Sequence, residues 1–476
     1  MKLKSDQIFF IGLFSLVLLF FLNAFKVFYF QDDYFFLRIS NISQIGDFFK
    51  FFSPFKSYFY RPLSSEIFYF FTHIFHNSVF FAHTVVFAMF CIGTLFLYKT
   101  VRILTKNRLV SYLTAAIYSI HVTHVFQLYY LGTAQEVFAF LFLAVTFYLF
   151  LKKKYTASIV FFILALLSKE SAVLFPIFLV AGALFRIPQC TNHGTKVYLW
   201  FVVLSLVALF LYKSGSANVV SNEATYALQF NPRLIANNLL WYSAWSIGFP
   251  NFLPDYFVSI LKPPLPALWS YFDTVHAKLY ICGLLLYILL LTSLSIVVFR
   301  SLTQKTNTRL GLFLLFSFIL FISPTLPIIH KWMVRLTIPL IFTSFFQAYI
   351  LYLGLKNKST SFLAMSILGI YALWNFFGIR VHETTSTYMY ETTVSRNVEK
   401  YMNRHKESIA NYTTLYFKDP PEKPTAWGWS KKLETTLHGG DFIDFYFPGQ
   451  TKKVLYGYKD EQISDSYIID AQQFLP

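Results

Sequence analysis

The chain has little charge and less cysteine. Asp, Glu, Lys and Arg make up 13% of the 476 residues, while 56% are hydrophobic and 21% aromatic, which excludes an ordinary soluble globular protein of this length. Three cysteines, Cys91, Cys190 and Cys282, fall in apolar runs or a basic loop and exclude a disulfide framework or a Cys-rich metal site. Acidic residues are scarce as well, 23 against 40 basic, giving a net charge of +17. Residues 380–476 carry 12 basic and 13 acidic side chains, so the basic excess belongs wholly to the first 379. That distribution is the orientation bias of cytoplasmic loops in a multi-pass membrane protein and calls for no nucleic acid. No long internal repeat is present, which disfavours a transporter built from inverted halves.

What the chain has is apolar runs. Lys2 and Lys4 precede an apolar stretch without a small-residue cleavage site, which reads as a retained first span. At about 20 residues per helical crossing, spans are expected near 8–29, 79–98, 109–127, 135–151, 156–168, 171–185, 197–213, 277–299, 310–328, 336–353 and 361–379. Basic clusters at 99–108, 152–154, 186–196, 300–309 and 356–358 fix their alternation. The expected fold is therefore an all-α polytopic membrane protein of about 11 transmembrane helices, residues 1–379, with a small soluble α/β domain at 380–476. Eleven crossings put the N-terminus inside and the C-terminus outside. Nine of the ten acids before residue 380 then lie outside (Asp32, Asp33, Asp47, Glu66, Glu136, Glu170, Glu223, Asp255 and Asp273), and Asp6 inside. The long outer loops 30–78 and 214–276 are rich in Tyr, Trp, Phe and Pro and suit helices lying in the interface. Within the second, 234–249 is an alternative span. In the C-terminal domain a helix is expected over 394–408, with strands at 414–417 and 453–456.

Two stretches break the apolar pattern with charge. Asp32 and Asp33 stand where the first apolar run ends, and ionised groups at a membrane border face water, a partner or a cavity. The bland alternative is an interfacial loop in which they cap the next turn. Lys169 and Glu170 interrupt an apolar run of about 30 residues. The 13 residues before them reach only about 20 Å against a hydrocarbon core of about 30 Å, placing the pair below the outer surface. Here the alternative is a tight turn whose two charges satisfy each other. His121 and His124 share one helical face and are either metal ligands or helix-end hydrogen-bonding groups.

In sequence order, Gln31-Asp32-Asp33-Tyr34, Tyr60-Arg61-Pro62-Leu63, Ser119 to His124, Thr133-Ala134-Gln135-Glu136 and Leu167 to Pro176 resemble polyprenyl-phosphate-sugar-dependent glycosyltransferases of the GT-C class. The resemblance is particularly to the protein O-mannosyltransferase branch and its tetratricopeptide-bearing relatives. The resemblance covers about residues 8–186, and the remainder by hydropathy alone. It departs at Val122, where relatives often have proline, in the lack of tetratricopeptide repeats, and in Arg335 to Pro339, which only loosely matches an Arg-Tyr motif.

The resemblance implies a membrane glycosyltransferase, a hexosyltransferase moving a sugar from a polyprenyl-phosphate-linked donor to a hydroxyl of a protein, lipid or glycan on the extracytoplasmic face. Such transfer needs a base for the acceptor hydroxyl and cations for the departing phosphate, and no general acid for an already anionic leaving group. Adjacent residues point in different directions, so one of Asp32 and Asp33 is expected as base and the other as orienter or ligand of a divalent metal cation; the resemblance favours Asp32 as base. Arg61, Lys169 and Arg335 are expected on the donor phosphate, with Glu136, Glu170, His121 and His124 in support. Competing readings are a lipid or solute transporter or flippase, and a catalytically idle membrane scaffold. The expected setting is a bacterial cell membrane, with the endoplasmic reticulum second.

Overall fold

The computed structural model describes residues 5–56, 58–191, 193–222, 226–257, 262–301, 305–420, 428–461 and 464–476. Glu223 lies outside them. Among the described residues, seven helices are long and apolar enough to cross a membrane: Ser5–Lys26, Val79–Thr105, Leu131–Leu151, Thr195–Lys213, Val275–Val298, Thr308–Thr325 and Lys358–Thr385. This is the architecture of a helical membrane protein, with seven such helices rather than the eleven expected.

The four that fall short do so for physical reasons. Arg108–Ser119 and Tyr155–Leu166 have 12 residues each and Phe175–Leu184 has 10, so none reaches 20 Å. Pro339–Lys356 is longer, but Thr343, Ser344 and Gln347 dilute its apolar character. The region 234–249 forms the helix Pro232–Ile247, also below spanning length, ending at Gly248 in a left-handed conformation. There the ring of Trp374 leaves no room for a Cβ.

Asp6 marks one end of the bundle. It is ion-paired to Arg102 at 3.0 Å and to Arg108 at 2.6 Å, which ties the first helix to the turn after the second. The first helix then runs to the other end, where Asp32 and Asp33 begin the short helix Asp32–Ile39. Short helices still carry the chain between these ends. Arg108–Ser119 starts beside Asp6 and continues through 120–130 to place Tyr130 against the Asp32 backbone. The helix Tyr155–Leu166 starts near His193 and Gln189, and Gln189 bonds to the carbonyls of Ile103 and Leu104; at its other end the carbonyl of Leu167, the residue after the helix, accepts from the Leu63 N–H.

The C-terminal part begins with Thr387–Arg404, seven residues earlier than expected, and continues as Lys406–Ala410. Strands β1 (Thr414–Lys418), β2 (Lys453–Tyr456) and β3 (Ser466–Asp470) form a parallel sheet in the order β2-β1-β3. The first two match expectation. β3 pairs Leu415 with Tyr467 and was not anticipated. This part packs on the Asp32 end: the Phe28 N–H donates to Thr392 Oγ1 at 3.3 Å, Arg396 donates to the Lys26 carbonyl, and the Tyr34 hydroxyl lies 2.5 Å from Ser395 Oγ.

Candidate functional site

The chain enters the site through Gln31, a non-glycine residue at φ 50° and ψ −126°, and turns directly into the helix Asp32–Ile39. That turn sends the adjacent carboxylates to different surroundings. Asp33 is fully buried; its Oδ1 accepts the Tyr69 hydroxyl at 2.6 Å and its Oδ2 the Phe30 N–H at 3.1 Å. Burial pushes its carboxyl up to about 8 and the Asp32 charge adds to this, against the opposing pull of those two donors.

Asp32 faces the other way. Half of its side-chain surface is open to a cleft of about 430 Å³ lined by Gln31, Asp32, Glu434, Thr435, His438 and Gly439. Its backbone N–H donates to the Tyr130 hydroxyl at 3.1 Å, and His438 Nε2 stands 3.7 Å from its Oδ1. Surrounding protein raises the Asp32 carboxyl, while His438, Tyr130 and Arg61 pull it down; the net direction is upward, limited by the open face. His438 is itself held: Nδ1 meets Asp441 Oδ2 at 2.7 Å, and Arg38 Nε holds Asp441 Oδ1 at 2.7 Å. Burial alone would depress the imidazole, but the Asp441 hydrogen bond and the Asp32 and Asp441 charges raise it overall.

The Tyr60–Leu63 and Leu167–Ser171 stretches, a hundred residues apart, are stitched together. Ser64 Oγ donates to the Ser168 carbonyl at 2.7 Å, and Arg61 grips Glu170 with Nε and a terminal nitrogen at 2.8 and 2.7 Å. Lys169 pairs with Glu136 instead of its neighbour Glu170, so the alternative of a self-satisfied Lys-Glu turn does not hold. Arg335 donates to the His330 carbonyl at 2.7 Å and has no carboxylate in ion-pair contact among the described residues. An aromatic path, Phe59 to Tyr226 to His330, connects its loop to Arg61, which lies over the Phe59 ring at 4.6 Å. Trp332 from the same loop packs 6.2 Å from Tyr130.

His121 and His124 are buried away from the cleft, at a helix joint. His124 Nε2 lies 2.8 Å from the Tyr118 carbonyl, His121 Nδ1 bonds Thr123 Oγ1, and Asn375 accepts the Val122 N–H between them. This is the helix-end role. Among the described residues no group of three or more His, Cys, Asp and Glu is placed to hold a metal ion. The carboxylate pair does not fit one on its own donor set: both Asp33 oxygens are taken by protein donors, and Asp32 faces an imidazole clamped by a second carboxylate.

No protein-family model matches the chain, and no curated protein matches it. Four residues that sequence reasoning missed, Tyr69, Tyr130, His438 and Asp441, surround the Asp pair. Tyr130 carries a faint local signal, since it precedes the Thr133 to Glu136 stretch. His438 and Asp441 lie some 400 residues from Asp32 in a segment of mixed charge, and nothing local sets them apart.

Proposed function

We propose that this chain is a membrane glycosyltransferase that moves a sugar from a polyprenyl-phosphate-linked donor to an acceptor hydroxyl on a protein, lipid or cell-surface glycan. The reaction takes place at the Asp32 end of the bundle, on the extracytoplasmic face, in a bacterial cell membrane by preference. The observation that carries the reading is the contrast within the Asp pair: Asp33 is buried and satisfied, while Asp32 opens into a cleft beside the His438 imidazole.

In this mechanism Asp32 accepts the proton of the acceptor hydroxyl, whose oxygen bonds to the anomeric carbon as the bond from that carbon to the phosphate oxygen breaks. The electron pair leaves with the polyprenyl phosphate, and its charge is met by Arg335, which has no carboxylate in ion-pair contact among the described residues, with Arg61 and Lys169 behind. Glu136 and Glu170 hold those two cations in place. Apart from Ser119 to His124, the motifs of the resemblance gather toward this end of the bundle, whereas a transporter would place ionisable groups along several spans near the midplane.

The test is reconstitution of the full chain in liposomes with polyprenyl-phosphate-linked hexoses, following release of polyprenyl phosphate. Protein-dependent release that Asp32→Asn abolishes supports the reading. Movement of the intact donor across the bilayer without cleavage would instead make the protein a flippase.

A further inference from the structure

The cleft wall opposite Asp32 is built by the C-terminal part, and its central side chain is His438. His438 follows the helix Trp429–Thr436 with its own backbone left-handed at φ 51°, directly before Gly439 at φ 65°. A side-chain-bearing residue is disfavoured there, and glycine is the usual occupant of such a helix end. Across the cleft Gln31 is also left-handed, and its N–H donates at 2.6 Å to the carbonyl of Thr436. Two disfavoured backbone conformations, one before Asp32 and one at His438, are therefore tied together across the same opening. Strain kept in such a place points to a task for the side chains it aims.

The aim is specific. Asp441 occupies Nδ1 of His438 at 2.7 Å, and Arg38 fixes Asp441 from behind, which leaves Nε2 as the ring nitrogen turned toward Asp32 at 3.7 Å. The Phe35 ring, from the helix that begins at Asp32, packs on the imidazole at 5.5 Å. We propose that His438 is a positioning residue for Asp32: clamped by Asp441, its imidazolium faces the carboxylate and keeps it ionised and turned into the cleft, so the site is complete only with the C-terminal part docked. Its consequence for transfer rests on the reading of Asp32 as the base; the contact itself does not.

Charge around the pair agrees with this role. The charged and titratable groups facing His438 are Asp32, Asp441 and Arg38, with Glu434 on the same cleft wall, Asp444 beside Arg38 and Asp441, and Arg61 acting on Asp32. Of these Glu434 is already engaged by Tyr458 and Lys459. Protein crowding raises the Asp32 carboxyl, and the His438 charge is the first influence opposing it. An opposite charge within about 4–6 Å moves a carboxyl by about 1–3 pH units, so its removal is measurable.

The experiment labels the full chain in detergent with a water-soluble carbodiimide and glycinamide over a pH series, reading Asp32 by mass spectrometry. Carbodiimide reacts with the protonated carboxyl. In His438→Gly and His438→Asn, both suited to a left-handed backbone, the labelling midpoint of Asp32 is expected to rise by about one pH unit or more. Asp441→Asn moves it in the same direction, and His438→Lys returns it toward the native value. At a pH between the native and the shifted labelling midpoints, turnover of His438→Asn is expected to fall severalfold with little change in acceptor KM, and to recover as pH rises and Asp32 ionises again. An unchanged midpoint in both His438→Gly and His438→Asn overturns the inference. If the midpoint moves but Asp32→Asn transfers normally, the transferase reading fails and the contact stands. If Asp32→Asn abolishes transfer while the His438 variants leave midpoint and turnover unaltered, only this inference fails.

Discussion

Arg61 holds the Glu170 carboxylate through two hydrogen bonds of 2.8 and 2.7 Å, joining residues 109 positions apart. Arg61 is nearly buried while 41% of the Glu170 side chain is open, so the pair is worth less than a buried one and more than a surface one, about 1–3 kcal/mol. A double-mutant cycle of Arg61→Ala and Glu170→Ala, followed by thermal unfolding in detergent, should show coupling of that size. Additive losses would mean that the two side chains act separately.

Lys169 pairs with Glu136, whose side chain is almost fully buried. Lys169→Met therefore leaves an uncompensated carboxylate at Glu136, not at Glu170, and should lower stability as well as donor affinity. Lys169→Met combined with Glu136→Gln should recover most of the stability and none of the donor affinity. Denaturation midpoints and binding of the donor lipid separate the two effects.

Asp33 gives the protein a pH dependence whose sign follows from its raised carboxyl. An unfolded aspartate titrates at about 4, and the folded one at about 8, so between these values the native state holds a proton that the unfolded chain has lost. The stabilisation is complete below about pH 4 and is lost as pH rises through 8. Asp33→Asn keeps an acceptor for Tyr69 but places an N–H against that of Phe30, costing about 1–3 kcal/mol. Its unfolding temperature, measured from pH 5 to 9, should start lower than the native one and decline less steeply.

The contact of the C-terminal part with the Asp32 loop requires both on one side of the membrane. Reporter fusions after Tyr34 and after Pro476 should report the same, extracytoplasmic, side. Opposite sides would be incompatible with the Gln31 to Thr436 hydrogen bond.

Hydropathy made the seven long helices legible, and alternation made two of the three strands so. It failed where length decides: the apolar run 109–127 contains a helix that stops at Ser119 before the buried polar joint at His121 to His124, a break that composition averages away. Asp32 and Asp33 were legible as a pair because two acids ending an apolar run are costly unless they are used. Their different surroundings were not, since the difference is set by Tyr69 on one side and His438 on the other, both distant in sequence. The Lys169 and Glu170 charges were equally visible, but adjacency suggested the wrong partner.

The most direct measurement compares Asp32→Asn with the native chain in the liposome assay, determining donor-lipid binding and sugar transfer on the same preparations. The amide keeps the shape but cannot accept the acceptor's proton, so transfer should fall by about 10² to 10⁴ while donor binding stays near native. Native transfer by both Asp32→Asn and Asp33→Asn would contradict the mechanism and leave the pair as an interfacial loop.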